Sequence, residues 1–101
     1  MLTNLAEVFE KYQDEYLEFD SIEQPQHPRP DLCGLFLLHS LVAPLDSGLG
    51  RKMIRGAEHD EIWFDVEPEE LALKATEEDI RVLVRCGIRL DQDTNSLAMF
   101  V

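Results

Sequence analysis

Glu58, His59, Asp60 and Glu61 bring a potential general base beside three carboxylates, and Asp65, Glu67, Glu69 and Glu70 lie just beyond. Groups of this kind can bind a hard cation or pass protons. Acid–base catalysis, however, needs surroundings that drive the pKa values of its two groups apart, and a solvated acidic run supplies only mutual repulsion. The cluster therefore reads as a solvated face. The three histidines, His27, His39 and His59, stand far apart, and the H-E-x-x-H zinc pattern is absent.

Other constellations fail on spacing. Asp91, Asp93 and Asn95 match the first three ligand positions of an EF-hand calcium loop, but Ser96 stands where that loop turns on glycine, and the flanks alternate like strands. A hairpin turn fits them better. Cys33 and His39 are six residues apart in one presumed helix, which sets them on different faces and argues against a direct nucleophile–base pair. His39 is expected as a hydrogen-bonded core or rim residue, and Cys33 and Cys86, among apolar neighbours, as inert buried thiols. GLGRKMIRG has neither the spacing nor the preceding strand of a phosphate-binding loop. No cofactor or metal site is expected.

The elements that would position these residues can be read from periodicity. Leu5, Val8, Phe9, Tyr12, Tyr16 and Phe19 recur at helical spacing, with Asn4 or Thr3 as cap and acids at the far end, where they oppose the helix dipole. The prolines of SIEQPQHPRP make a connector. Asp31 then caps a second helix, LCGLFLLHSLVA, whose apolar residues surround it and predict burial on most sides, with Pro44 as its end. Residues 45–57 read as a basic loop with at most a turn or two of helix. EIWFDV alternates as a strand, Ile62, Phe64 and Val66 on one face and Trp63 and Asp65 on the other. Pro68 opens a helix to about Ala75, Thr76 and Asp79 cap another that stops at Gly87, and GIRLDQDTNSLAMFV reads as a hairpin. The expectation is one α+β domain over residues 1–101, a small antiparallel sheet of about three strands with a C-terminal hairpin, packed against helices.

Charge narrows the partners. With 21 acids against 9 lysines and arginines, the net charge of −12 repels phosphate backbones and anionic lipid, so neither direct nucleic-acid binding nor a membrane role is expected. The most apolar stretch, Leu35 to Ala43, is broken by His39 and Ser40 and is too short to span a bilayer. MLTNLAEVFEKY has acids and no apolar run where a secretory signal would have one, which points to a reduced, cytoplasmic chain.

AEHDEIWFDV, RCGIR and SLAMFV make the second half of the chain resemble that of small uncharacterised bacteriophage and prophage proteins. The resemblance implies a phage-type accessory protein and carries over no activity and no functional residue. Between Glu58 and Asp79 there are ten acids and one base, Lys74, a distribution that steers a basic protein partner. The leading expectation is a non-catalytic protein-binding domain that uses Glu58, Asp60, Glu61, Trp63, Asp65, Glu67 and Glu70. The alternatives are a DNA mimic that blocks a nucleic-acid-binding protein, and a small hydrolase or metal-dependent enzyme built on His39 or His59.

Overall fold

The structure, a computed structural model, describes residues 2, 4–25, 27–42 and 54–100. Helix α1 (Leu5–Lys11) is capped by Asn4, whose Oδ1 accepts the Glu7 N–H at 3.2 Å. It does not run on towards Phe19. Single 3-10 turns at Gln13–Glu15 and Phe19–Ser21 take over, and Leu17, at φ 63°, redirects the chain. The physical reason lies in Glu15, which would burden a helix C-terminus but instead accepts on Oε1 from Arg81 Nε and Arg85 Nε, both at 2.8 Å. Arg85 also donates to the Ser21 carbonyl, and the Leu17 N–H donates to the Val84 carbonyl. Tertiary partners thus replace helical ones.

Helix α2 (Pro30–Val42) starts at its proline, so Asp31 is not the cap but sits in the first turn, its Oδ1 accepting the Leu32 N–H at 2.9 Å. It is also less central than its composition suggests. Cys33, Gly34 and Leu38 are buried, whereas Phe36 is 50% exposed and His39 lies on the surface. α2 packs against α3 and α4 from one side, and a helix apolar all round gives no sequence signal for which side that is. Pro44 and the basic stretch up to residue 53 lie outside the described residues.

Helices α3 (Pro68–Lys74) and α4 (Glu77–Arg85) match the sequence signals closely. Thr76 Oγ1 accepts the Asp79 N–H at 3.2 Å while Asp79 Oδ2 accepts the Thr76 N–H at 2.9 Å, a reciprocal box that satisfies two backbone donors at the start of α4. At its far end the N–H of Ile88 reaches the Leu83 carbonyl and that of Gly87 the Val84 carbonyl, the Schellman pattern, with Gly87 at φ 95°. A side chain there would be doubly opposed, because a Cβ would also stand 2.7 Å from Leu17 Cδ2.

Strands β1 (Ile54–Glu58), β2 (Glu61–Phe64), β3 (Arg89–Asp91) and β4 (Ser96–Phe100) form one four-stranded antiparallel sheet in the order β1-β2-β4-β3. The C-terminal hairpin is present and the fold is α+β. One strand more than expected comes from β1, where residues 54–57 are extended rather than loop. Its residues are largely exposed, so no alternation of apolar and polar residues marks it, and a bulge at Arg55 breaks its register. Phe64, Leu97 and Met99 point from one face of the sheet into a core shared with Leu38, Leu71, Ile80 and Leu83. All four described helices contribute to that core, and among the described residues no helix packs on the opposite face of the sheet.

Candidate functional site

Alternation along the strands fixes what the outer face carries. With Phe64, Leu97 and Met99 turned inward, Glu61 and Trp63 of β2, Ser96, Ala98 and Phe100 of β4, and Arg89 and Asp91 of β3 turn outward. Register then makes them neighbours: Glu61 faces Phe100, Trp63 faces Ala98, Ala98 faces Arg89, and Ser96 faces Asp91. The result is an aromatic and charged patch laid across three strands.

Its members hold one another. Arg89 pairs with Glu61 and places its guanidinium 4.4 Å from the centre of the Phe100 ring. Trp63 donates its indole N–H to Asp91 Oδ2 at 3.3 Å, and Ala98, which stands between Trp63 and Arg89 in the register, is fully buried. Arg55, at the bulge of β1, reaches the Ser96 hydroxyl. Burial pushes the Asp91 carboxyl up, but hydrogen bonds from Trp63, Thr94 and the Asp93 N–H, with the charge of Arg89, more than offset it and hold the group below the ordinary aspartate range. Phe100 remains 51% exposed at the edge of the patch.

The seven residues expected to meet a partner do not lie together. Glu58 and Asp60 belong to the exposed tip of the β1–β2 hairpin, where His59 adopts φ 55°. Glu61 and Trp63 lie on the sheet face and are already engaged there. Asp65 follows the end of β2, half-buried, while Glu67 and Glu70 belong to the start of α3, in the helix layer. Sequence reasoning missed Phe100, Arg89 and Asp91, because their meeting with Trp63 depends on β2 pairing with β4, a contact between segments remote in sequence.

Among the described residues no catalytic constellation assembles around His39 or His59. His39 is exposed on α2, and His59 is 86% exposed at the hairpin tip with Glu58 as its nearest acid at 3.8 Å. Among the described residues no group of three or more His, Cys, Asp or Glu side chains is placed to hold a metal ion. The Asp91–Asn95 segment is the expected hairpin turn: Asp91 turns its carboxylate onto the Asp93 N–H, the Thr94 hydroxyl and Trp63. Cys33 and Cys86 are both buried, as expected, and they are also partners. Burial, then the neighbouring Cys33 thiol, pushes the Cys86 thiol up to about 12. No described helix is long and apolar enough to cross a membrane.

No protein-family model, curated protein or solved structure matches this chain.

Proposed function

We propose that the chain is a non-catalytic protein-binding domain of the phage accessory type, and that its partner docks on the outer face of the sheet. The observation that carries this reading is the Trp63–Phe100–Arg89–Asp91 patch, aromatic side chains set in place by charged neighbours on the face that no described helix covers. Tryptophan and arginine dominate binding energy where they are held rigid and then desolvated, and here the ordering cost is met within the free domain. Glu58 and Asp60, on the hairpin tip beside this face, give it an acidic rim that favours a basic partner. The buried free thiols support a reducing, cytoplasmic setting.

A DNA mimic would need carboxylates spaced along one surface, and the six candidate carboxylates fall on a hairpin tip, a sheet face, the segment after β2 and the start of a helix. The two readings separate by experiment. Affinity capture from the native host should be run with wild type, Trp63→Ala and the Glu58→Lys/Asp60→Lys variant. A partner recovered reproducibly with wild type and lost with both variants supports the sheet face. A DNA-binding protein that duplex DNA displaces, and that Trp63→Ala still captures, supports mimicry instead.

A further inference from the structure

Cys33 stands near the start of α2 and Cys86 is the C-cap of α4, and the packing of those two helices joins cysteines that are remote in sequence. Both side chains are buried. The seam between them is tight, because a Cβ built on Gly34, the residue after Cys33, would lie 3.0 Å from Cys86 Cβ. A glycine at that point lets α2 come down onto Cys86, and the thiols of Cys33 and Cys86 interact directly across the seam.

We propose that Cys33 and Cys86 are a disulfide pair whose redox state is set while the chain folds and is then held by the native packing. With a small disulfide such as oxidised glutathione as oxidant, closure takes two exchanges. One cysteine thiolate attacks the glutathione disulfide, leaving a mixed disulfide and releasing one glutathione thiolate; the second cysteine thiolate then displaces the other. The two cysteine protons pass to the two released glutathiones, so two protein thiols are oxidised to one disulfide while one glutathione disulfide is reduced to two thiols.

Both exchanges need a thiolate and an open approach to sulfur. In the unfolded chain both conditions hold, with the Cys86 thiol at its ordinary 9.0. Folding removes both: the seam closes over the two sulfurs, and burial together with the Cys33 thiol holds Cys86 up at about 12. The same packing shields a bond already made, since a reductant must reach the same buried sulfurs. A chain folded reduced therefore stays reduced, and one folded oxidised stays oxidised, until α2 parts from α4. The oxidised chain is also the more resistant to denaturant, because a link between distant residues restricts the unfolded ensemble. Neither cysteine lies on the sheet, so the inference does not rest on the sheet-face reading.

The test exposes the full chain to oxidised glutathione at neutral pH in two ways, as the native reduced protein and as reduced protein diluted into that buffer from urea. Thiols are counted by mass after alkylation in denaturant, and the link is located by peptide mapping. The native sample should keep both thiols, while the refolded sample should become a monomer that has lost two hydrogens and carries a Cys33–Cys86 link. Its urea midpoint should lie above that of the reduced chain, and dithiothreitol should break the link at least about tenfold more slowly without urea than with it. Cys33→Ala and Cys86→Ala should form no link, and the wild-type samples decide the matter even if either variant misfolds. Oxidation of the native sample as fast as the refolding one, dimers or glutathione adducts in place of the internal link, or a linked chain that no longer unfolds cooperatively would each overturn the proposal.

Discussion

Trp63 on β2 donates its indole N–H to Asp91 on β3, reaching across the intervening strand β4, where Ala98 is completely covered. A small residue between two larger ones is what allows the indole to lie along the sheet instead of standing away from it. The tryptophan is therefore neither ordinary core nor a loose surface aromatic. It is held on the outer face by its own sheet.

Trp63→Phe should keep most of the cover over Ala98 and lose only the hydrogen bond, about 1 kcal/mol of stability. Trp63→Ala should cost about 1–2 kcal/mol, less than a core tryptophan, because the side chain is half-buried to begin with. Both variants should still unfold cooperatively in urea. A Trp63→Ala chain that fails to fold would place the residue in the core after all.

The same bond predicts an acid response. Asp91 titrates lower in the folded chain than its ordinary value of 3.8, so its contribution is present above about pH 4 and is lost as pH falls through the depressed native value. Indole fluorescence followed from pH 6 downward should show a step below pH 4 in the wild type, before global unfolding, and Asp91→Asn should remove that step. An identical titration in the two proteins would mean that Asp91 does not hold the indole.

Packing of α2 against the end of α4 gives a second group of outcomes. A Cβ added at Gly34 would stand 2.9 Å from Ile88 Cδ1 and 3.0 Å from Cys86 Cβ, so Gly34→Val should cost about 1–3 kcal/mol through overpacking. Leu38→Asp should abolish cooperative unfolding, since that side chain is fully buried, while Leu37→Asp, at a half-buried position, should do less damage. Thermal melts of the three variants rank them.

Cys86 offers a chemical readout. With its thiol pushed up to about 12 and both cysteines buried, neither should react with a disulfide reagent at pH 8 until the chain unfolds. Because the native value exceeds the ordinary 9.0, stability should be unaffected by this group below pH 9 and fall as pH rises from there towards 12. Rapid labelling of the native protein would show the packing of α2 on α4 to be open.

Glu15→Ala should release the segment between α1 and α2 from α4, because a single carboxylate oxygen gathers Arg81 and Arg85. Hydrogen exchange at the Leu17 amide, which is held by the Val84 carbonyl, reports that release directly. Unchanged protection would mean that Leu17 is fixed by its own packing against Gly87.

What could be read in advance follows the range of each interaction. The caps at Asn4 and at Thr76–Asp79, the stop at Gly87 and the turn before Ser96 are local, and each is written in a few adjacent residues. The early end of α1 is not, because it depends on arginines of α4 far along the chain. β1 escaped for a different reason: a strand exposed on most of its length has no apolar alternation to detect. At the site, Trp63 could be placed on the outer face from EIWFDV alone, but Phe100, Arg89 and Asp91 join it only through pairing of β2 with β4 and β4 with β3. Runs of acids in the sequence proved a poor guide to surface proximity, since neighbours along the chain separate onto a turn, a sheet and a helix.

The sheet-face reading is tested most directly by site-specific photo-crosslinking. A benzoylphenylalanine is placed at position 100, where Phe100 is 51% exposed beside the Trp63 patch, or at position 73, where Leu73 is 54% exposed in the helix layer. Irradiated in host extract, the chain carrying the probe at position 100 should trap one reproducible partner, the trap should vanish when Trp63→Ala is added, and the probe at position 73 should not capture that partner. Capture from position 73 but not from position 100, or a trap at position 100 that Trp63→Ala leaves intact, would contradict a partner docked on this face.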